Sequence, residues 1–138
     1  MKTLYTAVAT AHGGREGHVR SDDGVLDVDM RVPKEMGGPG GRGSNPEQLF
    51  AAGYGACFES ALRTVARMDR KPLTDAHVTA QVSFNVTDDK RYVLSVVLRG
   101  HVEGLSKEET HALMERAHQV CPYSNATRGN VTVELVAD

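Results

Sequence analysis

Long apolar runs are missing from this chain of 138 residues, and its N-terminus lacks the basic-then-apolar pattern of a signal peptide. The expectation is a protein that stays in the cytoplasm and neither crosses nor binds a membrane. A surplus of either charge is missing too: the formal net charge is −2, which gives no electrostatic reason to expect nucleic acid as a partner. Cysteine is scarce. Two residues, Cys57 and Cys121, are too few for a disulfide scaffold, and in a reducing compartment such a pair is either inert packing or redox chemistry. Metal-ligand spacing is absent as well: six histidines and two cysteines contain no C-x-x-C, H-x-x-x-H or H-E-x-x-H, and His111 and His118 lie seven residues apart on one helical stretch. A Cys-His hydrolase, whose histidine the fold would have to place, remains an open alternative.

What is present is a soluble globular composition, 40% apolar and 25% charged, of a length that suits one domain over residues 1–138. The chain is organised around residues 45–58, NPEQLFAAGYGACF. Asn45 suits an N-cap, Pro46 the first helical position, and Gln48 completes a capping-box spacing. The next proline is Pro72, so the spacing predicts one helix of roughly 25 residues. No charge falls between Glu47 and Glu59, which predicts burial on nearly every face. Ala51, Ala52, Gly53, Gly55 and Ala56 leave room for another backbone, and Cys57 sits among them.

Around that helix, the pattern predicts a strand over Thr3 to Ala11, turns at His12-Gly13-Gly14 and Asp22-Asp23-Gly24, and strands from His18 to Ser21 and from Val25 to Val32. Arg15 falls at a hairpin tip, where an arginine is ordinarily a solvated turn residue. Residues 36–44 are mostly glycine but lack the Lys-Ser/Thr of a phosphate loop, and Glu47 would repel a phosphate from the following helix end. A flexible connection is the better reading. Alternation from Val78 to Val86 and from Tyr92 to Leu98, across Asp88-Asp89-Lys90, predicts a hairpin whose second strand is covered on both faces. Ser106-Lys107-Glu108-Glu109 opens a second helix with Leu113, Ala117, Val120 and Cys121 facing inward. Pro122 ends it, a loop follows from Tyr123 to Asn130, and a last strand runs from Val131 to Val136. The fold class is α+β, with antiparallel sheets around a long central buried helix.

A buried cysteine alone means little, since cysteine is among the most buried residues. Two on interior helix faces say more. A thiol with its ordinary pKa of about 8.5 is mostly protonated near neutrality, and burial makes that worse. Making the thiolate the main form takes a lowering of about two units, or about 2.7 kcal/mol. A guanidinium in a dry place is the best source, because it stays charged.

Three segments, GGREG at 13–17, the helix segment at 45–58, and CPYSNATRGN at 121–130, resemble the organic hydroperoxide resistance proteins of the OsmC-like superfamily. The third segment resembles that branch more than its osmotically inducible sister. The resemblance implies a thiol peroxidase acting on alkyl and fatty-acid hydroperoxides, in an intertwined homodimer. It implies Cys57 as the peroxidatic cysteine, Cys121 as its resolving partner, Arg15 as the thiolate's counter-ion and Glu47 as the residue that orients Arg15. It implies no metal, haem, flavin or selenium, and a dihydrolipoyl protein as reductant. Two further expectations rest on geometry. Glu47 and Cys57 are ten residues apart, about 15 Å along a helix, so one guanidinium reaches both only if two helices cross and each site is shared between chains. A pocket of Phe50, Tyr54 and Met36 would favour apolar hydroperoxides over hydrogen peroxide. The competing readings are a redox sensor or general thiol–disulfide protein, and a non-catalytic dimeric module with two packed thiols.

Overall fold

The computed structural model describes residues 1–138, which divide into two compact units, Met1–Leu49 and Phe50–Asp138. The first holds a small antiparallel sheet, β1 (Ala9–His12), β2 (His18–Ser21) and β3 (Asp27–Asp29), in that order. His12 pairs with His18 and closes the hairpin through a 3-10 turn, Gly14–Glu16. The turn requires its glycines: Gly13 has φ +82°, and a Cβ on Gly17 would stand 1.8 Å from the His12 carbonyl oxygen. Arg15 sits on that turn, as the sequence predicts.

The first predicted strand is shorter than expected. Residues 3–8 join no sheet, because β2 is four residues long between two turns and its ladder is used up by Ala9–His12. Leu4 and Tyr5 consequently remain 86% and 80% exposed. The third strand is also cut short, to Asp27–Asp29, and then turns into a bridge between Met30 and Ser44. That bridge delivers the chain to the start of helix α1.

Helix α1 (Pro46–Met68) is continuous for 23 residues. Its Gln48 N–H donates to Asn45 Oδ1 at 2.8 Å, the capping contact the sequence predicts. In the second unit its residues Tyr54, Phe58, Leu62 and Val65 are buried in one apolar cluster with Val96, Leu98, Met114 and Ala117. Fully burying side chains such as Phe58 and Leu62 contributes roughly 1.5–3 kcal/mol each. The helix is not covered all round, however. Ala52, Ala56 and Ser60, spaced four apart, form an exposed stripe of small residues, so the lack of charge before Glu59 overstates burial within one chain.

The second sheet has the order β4 (Ala76–Val86), β5 (Tyr92–Val102), β6 (Thr132–Ala137). The predicted hairpin is present, with Val82 opposite Val96 and Ala80 opposite Leu98 on the face toward the core. The other face of β5 is only partly covered: Val93 is 37% exposed, and Arg99 pairs with Asp138 at 2.9 Å instead of meeting a second layer. Strand β6 runs parallel to β5, so this sheet is mixed rather than antiparallel. The reason is the connection. Helices α2 (Lys107–Val120) and α3 (Pro122–Thr127) carry the chain back to the end where β5 began, the crossover that parallel pairing requires.

Ser106 and Glu109 form the predicted capping box at the start of α2. Two expectations at its other end are corrected. Val120 is 43% exposed and Met114 takes the inward position, because the stripe of a 3.6-residue helix drifts before it reaches Val120. The segment after Pro122 is not a loop but α3, since a proline at the first helical position also begins a helix. No helix is long and apolar enough to cross a membrane.

Candidate active site

Two groupings of side chains emerge, one in each unit. In the first, the Met30 N–H donates to the Gly17 carbonyl, and Ser44 N–H donates to the Asp29 carbonyl, both at 2.8 Å. These bonds set the β1–β2 hairpin end beside the first turn of α1. Arg15 then pairs with Glu47 through two parallel bonds, Nη1 to Oε2 at 2.9 Å and Nη2 to Oε1 at 2.8 Å. A two-pronged contact fixes the guanidinium plane as well as its position. It holds the Glu47 carboxyl below the usual carboxylate range and pushes the Arg15 guanidinium still higher, so both stay charged. Glu47 also suits the helix N-terminus electrostatically.

In the second unit, α1 carries Cys57 and the joint between α2 and α3 carries Cys121. Their sulfurs are 3.4 Å apart, both as free thiols. Cys121 belongs to neither helix. It ends α2 with its N–H on the Ala117 carbonyl, 2.8 Å, and starts α3 with its carbonyl accepting from the Asn125 N–H, 3.0 Å. Its backbone is thereby held from both sides, and its side chain is fully buried. Cys57 is half-buried and reachable. Burial pushes the Cys57 thiol up from its ordinary value, the backbone N–H of Tyr123 pulls it down, and Cys121 adds to the rise. Its own unit therefore works against ionisation, as a dry site must.

An aromatic wall stands beside the dithiol. The Tyr123 ring lies 6.0 Å from Phe50 and 5.6 Å from Tyr54, and Phe50 meets Tyr54 edge-on at 6.1 Å. Gly53 makes the room, since a Cβ there would come within 2.7 Å of the Tyr123 hydroxyl. The smallness of Gly53 thus serves a ring of its own chain, not only the approach of another backbone. Tyr54 is wholly buried, with its hydroxyl on Ser124 at 2.8 Å and Thr127 at 3.2 Å. Met36 lies in the first unit, 38% exposed on a 3-10 turn. The structure thus joins Arg15 with Glu47, Cys57 with Cys121, and Phe50 with Tyr54.

Tyr123, Ser124 and Thr127 went unnoticed in the sequence. The signal was there: a Cys-Pro step after a helix, with polar residues at 124 and 127 spaced to share one helical face, marks a second short helix. No group of three or more histidine, cysteine or acidic side chains is arranged to hold a metal ion.

Known proteins resemble this chain over nearly its whole length. The family model described as "OsmC-like protein" matches residues 38–136. The organic hydroperoxide resistance protein of Xanthomonas axonopodis pv. citri is 50% identical over 135 residues, covering 97% of this chain and 94% of that protein. Among solved structures, an organic hydroperoxide resistance protein from Legionella pneumophila superposes with a TM-score of 0.92 at 53% identity, covering 99% of both chains. Bacillus subtilis OhrB gives 0.90 at 45% identity, covering 99% of this chain and all of that one. On full-length likeness at about half identity, together with the family match, the chain belongs to the organic hydroperoxide resistance branch of the OsmC-like family.

Proposed function

We propose that this protein is a cysteine-based peroxidase that reduces organic hydroperoxides, alkyl and fatty-acid, to alcohols. The observation that carries the reading is the dithiol: two free sulfurs at 3.4 Å, one reachable and one sealed, beside an aromatic wall. The relatives' shared name, organic hydroperoxide resistance protein, supports the substrate class.

The Cys57 thiolate attacks the distal oxygen of the hydroperoxide. The O–O bond breaks, the alkoxide takes a proton and leaves as alcohol, and Cys57 becomes a sulfenic acid. The Cys121 sulfur then attacks Cys57, an S–S bond forms and water leaves. An external dithiol, most simply a dihydrolipoyl protein, reduces the disulfide by exchange. All electrons pass through sulfur, so the cycle is written without metal, haem or flavin. The setting we assign is the cytoplasm, where reductant is available.

Arg15 is the counter-ion we assign to the thiolate, and Glu47 its orienting partner. We further assign the two parts of each site to different chains of a homodimer. Three incomplete surfaces support a second copy: the exposed Leu4-Tyr5 segment, the small-residue stripe at Ala52, Ala56 and Ser60, and the eleven-residue edge strand β4. Mixed dimers test this. Chains with Arg15→Ala and chains with Cys57→Ser are each inactive alone; co-refolded, they regain activity at one site per mixed dimer if sites are shared. No recovery would assign Arg15 and Cys57 of each site to one chain.

The activity itself is tested by consumption of cumene hydroperoxide with a dihydrolipoyl protein, compared with thioredoxin and with hydrogen peroxide. Preference for the organic substrate is the expected result, and equal rates would refute the apolar pocket. A redox sensor uses the same dithiol; it differs in tolerating Arg15→Ala with slow oxidation, where a catalyst loses orders of magnitude.

A further inference from the structure

The buried side of α3 carries a polar cluster. Ser124 is fully buried, and its hydroxyl oxygen is 2.8 Å from the Tyr54 hydroxyl on α1 and 2.7 Å from His118 Nδ1 on α2. Thr127 is 3% exposed; its hydroxyl donates to the Ser124 carbonyl at 3.2 Å and lies 3.2 Å from the Tyr54 hydroxyl. Arg128 donates to the His118 carbonyl at 2.5 Å and to Asn125 Oδ1 at 2.9 Å, bracing the same corner from outside. One arrangement satisfies the inner chain: Tyr54 donates to Ser124, Ser124 donates to neutral His118, and Thr127 donates to the Ser124 carbonyl. Burial and Arg128 both hold His118 toward its neutral form. No buried side-chain polar atom here lacks a partner.

Three helices therefore meet at one hydroxyl. The joint they immobilise is Cys121, three residues before Ser124 and three after His118. Six residues of helix have too few internal bonds to hold their own place, so α3 needs outside anchors. Apolar packing would suffice to bury it, but packing alone sets depth rather than register. Directional bonds to α1 and α2 set register, and register decides whether two sulfurs at 3.4 Å close to the roughly 2.05 Å of a disulfide.

We propose that the Ser124 hydroxyl, held by Tyr54 and His118, is a positioning group that keeps Cys121 aimed at Cys57 for disulfide closure. The proposal rests on reading the two cysteines as a reacting pair. Ser124 touches neither substrate nor sulfur; it acts through the α2–α3 joint. A misplacement of about 1 Å in a reacting pair costs as much as a hundredfold.

The test uses the full-length protein in glutathione redox buffers without hydroperoxide, so that it stands apart from peroxidase activity. The quantity read is the effective concentration of the Cys57–Cys121 pair, from the equilibrium between dithiol and disulfide. Ser124→Ala lowers it by about tenfold or more, and Ser124→Thr, which restores the hydroxyl, recovers most of it. Tyr54→Phe keeps the buried ring and removes one anchor, giving a smaller drop and covering the case in which Ser124→Ala does not fold. A merely structural contribution would lower the melting temperatures of the oxidised and reduced forms together and leave the effective concentration unmoved. An effective concentration within twofold of the parent in both variants overturns the proposal, as does a parent protein that never forms the disulfide. A parent that closes the disulfide in glutathione but consumes no hydroperoxide sinks the peroxidase while leaving the positioning role standing.

Discussion

The Arg15–Glu47 pair and the Cys57–Cys121 pair sit in opposite physical settings. The ion pair is held by a small, glycine-dependent sheet, with side chains still 36% and 13% exposed. The dithiol is held in the apolar cluster of the second unit, with Cys121 sealed and Cys57 packed against it. A permanent charge tolerates partial hydration and is cheap to keep there. The dry side suits the apolar substrates proposed for Cys57, but burial by itself keeps the proton on that sulfur. Neither setting suffices for the chemistry. The proposed mechanism asks the charge of one setting to serve the sulfur of the other.

The comparison breaks most completely with Cys57→Ser, which should abolish hydroperoxide consumption while leaving secondary structure unchanged by circular dichroism. Arg15→Ala follows: if Arg15 is the thiolate's counter-ion as proposed, its removal should cost about 10²–10³ in rate, read as the loss in kcat/KM for an organic hydroperoxide. Cys121→Ser separates the two sulfurs. The first equivalent of hydroperoxide is still reduced, but Cys57 then accumulates as sulfenic and sulfinic acid, seen by mass spectrometry, because its partner at 3.4 Å is gone. Glu47→Gln keeps shape and removes the charge that fixes the guanidinium plane, with an expected loss of about tenfold.

The carboxyl of Glu47 titrates below its usual range when folded, so its contribution to stability is present above about pH 4.3 and is lost as pH falls through the lower folded value. In Glu47→Gln that acid-side loss is absent, which equilibrium denaturation against pH resolves. The smallest effect is away from both regions. Ser106→Ala removes one capping bond from α2 and should cost about 1 kcal/mol of stability with no change in catalysis.

Much of this architecture was legible in the sequence, wherever local chemistry settles local structure. Asn45-Pro46 and Ser106-x-x-Glu109 mark helix starts because a cap is made within four residues. The β4–β5 hairpin shows because period-two alternation over eleven residues has no helical competitor. What local signals missed depends on partners distant in sequence. Residues 3–8 carry strand-forming side chains, yet the neighbour on their one flank is four residues long. The parallel run of β6 follows from the helical return between it and β5, a topological fact that no residue of β6 announces. Val120 and Met114 exchange places because a heptad-like stripe is read straight while the helix rotates. At the site, the two cysteines stand out by their placement on helix faces, and Arg15 and Glu47 through the family resemblance. Tyr123 and Ser124 stand out less, because Pro122 both ends α2 and begins α3.

The central claim is that Arg15 turns a thiol raised by burial into a thiolate at neutral pH, and titration of Cys57 by thiolate absorbance tests it most directly. With Cys121→Ser as background in both samples, the protein with Arg15 intact should lose the Cys57 proton below neutrality. With Arg15→Ala the same proton should stay on above the ordinary thiol value of about 8.5, where burial alone leaves it. Two curves that coincide, or an Arg15-intact protein that keeps its Cys57 proton well above neutral pH, would contradict the account.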